Sequence, residues 1–152
     1  MISEILERKN CIIRKATNLS KISHLIASNI DRTFLIVTLK NPLIPLGFID
    51  RYLISAESYK IPATIVFNKI DIYDTKAIDK YAEYRAIYES IGYDCIDVSA
   101  LKGHNIDKLK EKLSGRVNLF SGQSGVGKSA LINALSHFNI KTAEVSKYNE
   151  KG

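Results

Sequence analysis

A glycine-rich segment near the end of the chain constrains the fold more than any other feature. Residues 122–129 read GQSGVGKS and match the pattern G-x-x-x-x-G-K-[ST] in full. A strand-length segment at 116–120 precedes this segment, and a helix-forming stretch from 128 to 137 follows it. A strand, a glycine loop and a helix in this order are typical of a phosphate loop. They predict an α/β fold with a mainly parallel sheet.

The loop contains the residue types that hold the phosphates of a nucleotide. Its glycines allow backbone N–H groups to converge on one anion at a helix N-terminus. The Lys128 ammonium would bridge β- and γ-phosphate oxygens, which makes it the candidate catalytic residue, and the Ser129 hydroxyl would bind Mg²⁺. A plain glycine-rich turn is the alternative. The predicted phosphate-binding residues are Gly122, Gln123, Ser124, Gly125, Val126, Gly127, Lys128, Ser129 and Ala130.

A second motif, Asn68-Lys69-Ile70-Asp71, directly follows the apolar run 63–67 and predicts which base is bound. Guanine presents two neighbouring donors, N1–H and N2–H₂, which one carboxylate can accept together. Adenine would leave the Asp71 carboxylate unpaired, so the site would prefer GTP or GDP. Asn68 would fix the loop, and the Lys69 stem would pack on the base. A polar turn at a strand end is the alternative.

Ser99-Ala100 forms a third candidate contact, after the predicted strand 93–98. GTPases carry a serine-alanine pair at this point, and one of its backbone N–H groups approaches guanine O6. Alone, the pair would indicate only a turn. The carboxyl ends of parallel strands lie at one edge of a sheet, where open α/β folds bind ligands. We therefore predict that the three motifs lie together.

Apolar runs alternate with periodic segments after residue 30. The predicted strands are 34–39, 63–67, 93–98 and 116–120, and the predicted helices are 46–60, 75–91, a segment capped by Asn105 and stopped by Gly115, and 128–137. Strands that alternate with helices predict right-handed crossovers. The residues expected on the inward face of the second helix are Ile78, Tyr81, Ala82, Tyr88 and Ile91.

The composition is that of an ordinary globular protein with an excess of basic residues. A chain of 152 residues is long enough for one core, and its net charge of +6 suits an anionic partner such as nucleotide or RNA, although excess lysine is also common on plain surfaces. Cys11, Cys95 and the three histidines lack metal-ligand spacing. No signal peptide or membrane-length apolar run is visible, so we expect a cytoplasmic monomer without a membrane partner.

The order of the motifs resembles that of the circularly permuted GTPases, because an ordinary small GTPase carries its phosphate loop first. The flanking segments are similar to those of the ribosome small-subunit-dependent GTPase A family. This likeness rests on Arg8-Lys9-Asn10 with Arg14, on ASNIDR at 27–32, on DRYL at 50–53 and on the extended phosphate loop at 122–133. The resemblance covers nearly the whole chain.

The resemblance implies a P-loop NTPase three-layer sandwich that binds GTP or GDP with Mg²⁺ and hydrolyses GTP to GDP and phosphate. It also implies a role in late maturation of the small ribosomal subunit, with the subunit and its rRNA as partners. Family members have an N-terminal OB-fold barrel and a C-terminal zinc-binding domain. We therefore expect residues 1–20 to be the tail of a preceding OB-fold domain or a linker, and 21–152 to be the permuted GTPase domain.

This GTPase domain is expected to be incomplete at its C-terminus, without the switch I and D-x-x-G strands. We expect these 152 residues alone to hydrolyse little GTP, the strand at 116–120 to lie at an exposed edge, and structural zinc to belong only to the missing C-terminal domain. Two alternatives stay open. One is a P-loop ATPase in which Asp71 is incidental. The other is a nucleotide-dependent ribosome-binding module with little catalysis.

Overall fold

The computed structural model describes residues 4, 6–15 and 23–136, and for 13–15 and 23–26 it describes the backbone only. The predicted strands and helices of the α/β region are present, with ends that shift by one or two residues. The last helix is described to Ser136, and its predicted end at 137 lies outside the described residues. The elements are β1 (Cys11–Lys15), β2 (Ser23–Ser28), β3 (Arg32–Val37), α1 (Leu46–Ser58), β4 (Ala63–Phe67), a 3₁₀ turn (Ile70–Ile72), α2 (Thr75–Ser90), β5 (Asp94–Asp97), α3 (Ile106–Leu113), β6 (Asn118–Ser121) and α4 (Lys128–Ser136).

A four-stranded parallel sheet in the order β5-β4-β3-β6 forms the centre of the molecule. In its register, Leu35 of β3 lies opposite Ile65 of β4 on one side and Ser121 of β6 on the other. The chain moves outward from β3 to β4 and β5 and then crosses back to β6. Right-handed connections therefore place α1 and α2 on one face of the sheet and α3 on the other. Because α4 contacts α3, the helices form two outer layers, and the predicted α/β fold is confirmed.

The core lies between these layers. The side chains of β3 from Phe34 to Val37 are fully buried, because a parallel sheet covered on both faces leaves neither face of a strand to solvent. The rings of Phe34 and Phe120 stack at 5.5 Å between centroids, which joins β3 to β6 at the edge of the sheet. On the other side, the Tyr88 hydroxyl of α2 donates to Asp50 Oδ1 of α1 at 2.7 Å.

The buried face of α2 differs from the predicted one. Ile78, Ala82 and Ile91 are exposed, Tyr81 is half-buried, and of the predicted set only Tyr88 is buried. The buried residues of the helix are Ala77, Tyr84 and Tyr88. A tyrosine ring buries a large apolar area while its hydroxyl reaches a polar partner at the edge of the core. The side of α2 that carries the tyrosines is therefore buried in preference to the side that carries the isoleucines.

The start of α3 also differs from the prediction. Asn105 occupies the N-cap position with a left-handed φ of 54°, but its side chain makes no capping bond. Its Nδ2 donates instead to the backbone O of Asp97 at 3.0 Å. The Asp97 carboxylate also contacts His104 Nε2 at 3.0 Å and Tyr81 OH at 3.0 Å. Burial raises the pKa of Asp97, but these hydrogen bonds outweigh it and hold the pKa below its usual value.

Strands β1 and β2 form a separate antiparallel pair. Ile12 of β1 packs with Ile30 and Ile61 in a second, small core. The Asn10 side chain supports this contact, since its Nδ2 donates to Ile30 O at 2.7 Å and its Oδ1 accepts from Ile30 N at 2.8 Å. Strand β2 lies beyond the boundary predicted at residue 20, so the pair spans both predicted regions. The division into 1–20 and 21–152 stays a prediction.

Candidate nucleotide-binding site

The predicted motifs follow β4, β5 and β6 and meet at the carboxyl edge of the sheet. We name them the guanine loop (residues 68–74), the serine-alanine loop (residues 99–104) and the phosphate loop (residues 122–129). Asn68 joins all three, because its Nδ2 donates to Val126 O at 2.9 Å and its Oδ1 accepts from Ala100 N at 3.2 Å. The side chain is buried, so water does not compete for these bonds.

Two glycines of the phosphate loop lie where a side chain would not fit. Gly127 has a φ of +91°, and a Cβ there would lie 2.5 Å from Asn68 Nδ2. Gly122 has a φ of +148°, and its Cβ would lie 2.4 Å from the backbone O of Ile36. A Cβ would therefore disrupt the contact of the loop with the guanine loop at Gly127 and with β3 at Gly122.

Lys128 begins α4 and turns back over the phosphate loop. Its Nζ donates to Gly122 O at 2.9 Å and to Gln123 O at 2.7 Å, and burial lowers its pKa. Ser129 is exposed in the first turn of α4, where backbone N–H groups lack acceptors within the helix. Val126 is fully buried and anchors the loop in the core. The loop thus fits a phosphate group, with a hydroxyl beside it of the kind that binds Mg²⁺.

Lys69 connects the guanine loop to two neighbouring segments. Its backbone is left-handed, with a φ of 64°, and its Nζ donates to Gly125 O at 2.7 Å and to Asn41 O at 2.6 Å. Burial lowers the pKa of Lys69, and the negative charge of Asp71 acts in the opposite direction. The ammonium therefore holds the guanine loop against the phosphate loop through Gly125 O and against the segment between β3 and α1 through Asn41 O.

Asp71 lies in the 3₁₀ turn, exposed to solvent. Its Oδ1 accepts a short hydrogen bond from the Ser99 hydroxyl, and Ser99 Oγ accepts in turn from Lys102 N at 3.0 Å. Among the described residues, Oδ2 has no such partner. The sequence predicted Ser99-Ala100 as a backbone contact, but it did not indicate that the Ser99 side chain orients Asp71 or that the Ala100 N–H bonds Asn68.

A cavity of about 150 Å³ lies among the three loops. Whole ligand sites occupy roughly 300 Å³ or more, so this cavity could hold a base but not a whole nucleotide. Ala130, predicted with the phosphate-binding residues, lines this cavity. The side chains of Ile72 and Leu101 were not predicted, although both are exposed apolar residues next to a motif. The full lining is Asn68, Lys69, Asp71, Ile72, Ala100, Leu101, Gly127 and Ala130.

Metal-ligand clusters and membrane spans are absent from the described part of the chain. No group of three or more histidine, cysteine, aspartate or glutamate side chains there could hold a metal ion. None of the helices within 23–136 is long and apolar enough to cross a membrane.

A parallel sheet with a guanine motif before the phosphate loop, both at its carboxyl edge, defines the class of a circularly permuted GTPase domain. The sequence model described as RsgA GTPase matches residues 5–152. Because this match covers nearly the whole chain, the protein belongs to the RsgA GTPase family.

Relatives from two bacteria carry the same name, small ribosomal subunit biogenesis GTPase RsgA. The protein of Bacteroides fragilis is 51% identical over 152 residues, which is 99% of this chain and 49% of the relative. The protein of Christiangramia forsetii is 47% identical over 153 residues, which is 100% of this chain and 49% of the relative. The chain thus spans about half the length of these relatives.

Two solved structures share the fold. YjeQ from Thermotoga maritima superposes with a TM-score of 0.75 at 37% sequence identity, over 88% of this chain and 44% of that one. YloQ, described as a circularly permuted GTPase, superposes with a TM-score of 0.66 at 25% identity, over 89% of this chain and 52% of that one. The predicted permuted order is therefore confirmed.

Proposed function

We propose that the protein binds GTP and GDP at this site and hydrolyses GTP in the maturation of the small ribosomal subunit. The observation that supports nucleotide binding most directly is the pair of bonds by which Asn68 joins the phosphate and serine-alanine loops beside Asp71. The names of the relatives support the ribosomal role. Their greater length makes the complete activity a proposal for this chain.

Base recognition is assigned to the guanine and serine-alanine loops. The Asp71 carboxylate would accept N1–H and N2–H₂ of guanine in a bidentate manner, while the Ser99 hydroxyl holds one of its oxygens. Asn68 and Lys69 hold the loops around the base, and Ala100 lines the cavity. Adenine offers no donor pair, so its binding would leave the carboxylate unpaired.

Phosphate binding is assigned to Gly122–Ala130. The first-turn N–H groups of α4 and the Lys128 ammonium would hold the phosphates, and Lys128 would stabilise the charge that develops during transfer. Ser129 would hold Mg²⁺, which when bound neutralises part of the phosphate charge.

The remaining assignments follow from the family and the charge. The net charge of +6 suits contact with rRNA in the small subunit, and we propose a cytoplasmic monomer without a membrane partner. A structural zinc remains an expectation for the C-terminal domain of the family.

The first experiment measures GDP and ADP binding in Mg²⁺ with fluorescent nucleotides. We expect a preference for GDP on the order of 10⁴-fold. Asp71→Asn should reduce GDP binding by about 100-fold and bring a gain for xanthosine diphosphate, whose base presents an acceptor at C2 in place of the amino group. Asp79→Asn, the same change at an exposed position on α2, is the control and should bind as the wild type does. Equal binding of GDP and ADP would contradict the proposal.

A second experiment tests the enzymatic role with purified small ribosomal subunits. We expect the subunit to accelerate GTP hydrolysis by the complete protein. Binding to the subunit without acceleration would favour a nucleotide-dependent ribosome-binding module, and a preference for ATP would favour a P-loop ATPase.

A further inference from the structure

We propose that Tyr73 is a positioning residue that sets the guanine selectivity of Asp71. The inference rests on the proposed function, because it concerns the turn that presents Asp71 to the base. Neither the phosphate-loop pattern nor the N-K-x-D pattern includes Tyr73, which lies two residues after the motif ends.

Tyr73 makes two hydrogen bonds that close the turn containing Asp71. Its hydroxyl donates to the backbone O of Asn68 at 3.0 Å, and its backbone N donates to Ile70 O at 3.2 Å. The first of these bonds reaches back to the residue where the guanine loop begins. Asp71 therefore lies on a short segment whose two ends are held together by one side chain.

The same hydroxyl fixes the turn to the end of β3. Tyr73 OH accepts from the backbone N of Leu39 at 3.0 Å. Leu39 belongs to the β3–α1 loop (residues 38–45), which folds on itself because Ile44 N donates to Thr38 O at 2.9 Å. This loop also accepts the Lys69 ammonium, at Asn41 O. The Tyr73 hydroxyl and the Lys69 ammonium thus attach the guanine loop to the β3–α1 loop at separate points.

The geometry of base recognition makes this attachment important. A carboxylate that accepts N1–H and N2–H₂ together must place both oxygens in the plane of the base. Ser99 holds Oδ1 from one side, but it does not fix the backbone that carries Asp71. Tyr73 supplies that backbone restraint, and a loss of it would weaken the contact with the 2-amino group as well as the contact with N1–H, which inosine diphosphate also makes.

The Tyr73 hydroxyl stays protonated at ordinary pH. Burial raises the pKa of Tyr73 to about 12, so the group stays protonated and keeps donating to the Asn68 carbonyl. Replacement by phenylalanine keeps the ring but leaves the Leu39 N–H and the Asn68 carbonyl each without this partner.

The test is Tyr73→Phe, measured with GDP and with inosine diphosphate, which lacks the 2-amino group. We expect GDP binding to weaken by about 10-fold and inosine diphosphate binding by less, so that the ratio of the two affinities falls by about 3-fold or more. The matched control is Tyr93→Phe, which removes a hydroxyl bonded to Glu57 Oε1 at 3.2 Å on the outer side of α1 and should leave the ratio unchanged.

An equal loss for both nucleotides would overturn the inference, because support of the fold alone would not distinguish them. Unchanged binding of both nucleotides would overturn it as well. If Tyr73→Phe is unstable without ligand, the rise of its melting temperature with each nucleotide gives the same ratio. Failure to fold at saturating GDP would also reject a positioning role. If the wild type itself shows no preference for GDP over ADP, the proposed function fails rather than this inference.

Discussion

The guanine loop and the phosphate loop are neighbours at the same edge of the sheet, but they are held in different ways. The phosphate loop depends largely on its own backbone, with positive φ values at Gly122 and Gly127 and a lysine that bonds carbonyls five and six residues away. The guanine loop depends on partners far along the chain. Asn68 bonds a residue 58 positions away, and Asp71 bonds one 28 positions away.

This difference shows which half of the site a short stretch of sequence is enough to identify. A phosphate loop is a local structure, since glycine conformations and one helix N-terminus supply most of it. Base recognition needs a carboxylate at a defined distance and angle, and only several loops in contact can hold it there. Changes in the two loops should therefore differ in their effect on base selectivity.

The largest effect is expected from Gly122→Ala. The new Cβ would lie 2.4 Å from the backbone O of Ile36, so either the phosphate loop or the backbone of β3 must shift. We expect GDP and inosine diphosphate binding to fall together by about 100-fold, as a strained backbone no longer holds the phosphates. Equilibrium binding with both nucleotides checks this.

The control for that change is Gly115→Ala. Gly115 also has a positive φ, of +69°, but no atom lies within 4 Å of the position that a Cβ would take there, and the residue follows α3 away from the site. The substitution should cost some stability and leave binding unchanged. A change in the ratio of GDP to inosine diphosphate binding in Gly122→Ala would break the proposed contrast between the loops.

An intermediate and selective effect is expected from Ser99→Ala. The substitution removes the donor to Asp71 and leaves Lys102 N without its acceptor. We expect GDP binding to weaken by about 5-fold and the preference over inosine diphosphate to fall with it. Ser90→Ala, which removes an exposed hydroxyl bonded to Ile87 O, is the control. Equal losses for both nucleotides would show that Ser99 does not orient the carboxylate.

The smallest effect is expected from Lys40→Ala. Lys40 Nζ lies 2.8 Å from Asp74 Oδ2, which adds a third link between the β3–α1 loop and the guanine loop, but both side chains are substantially exposed, at 37% and 55%. Exposed ion pairs contribute little, so we expect GDP affinity to change by less than about 3-fold at moderate salt. A larger loss would mean that the attachment of these loops is electrostatic rather than made by the hydroxyl of the half-buried Tyr73.

Much of the fold could be predicted from sequence patterns, because each pattern lies within a short stretch of the chain. The segments that became the central strands β3 and β4 are short and largely apolar, as expected of strands covered on both faces, while those that became the edge strands β5 and β6 include polar residues. Their order placed three motifs at one edge of the sheet, which the structure bears out. The buried face of α2 could not be predicted from the sequence. Two apolar stripes lie side by side on this helix, and which one is buried depends on tertiary partners such as Asp50.

By itself the sequence determined the parallel α/β arrangement, the permuted order of the motifs and the strand–loop–helix form of the glycine-rich segment, since glycine spacing and strand-length segments are visible without contacts. Tertiary structure alone decided that the Ser99 hydroxyl holds Asp71, that Tyr73 returns to Asn68, and that Asn68 joins three loops. These hydrogen bonds form only after separate strands bring their ends together, and a hydroxyl or an amide has no periodic pattern that identifies its partner.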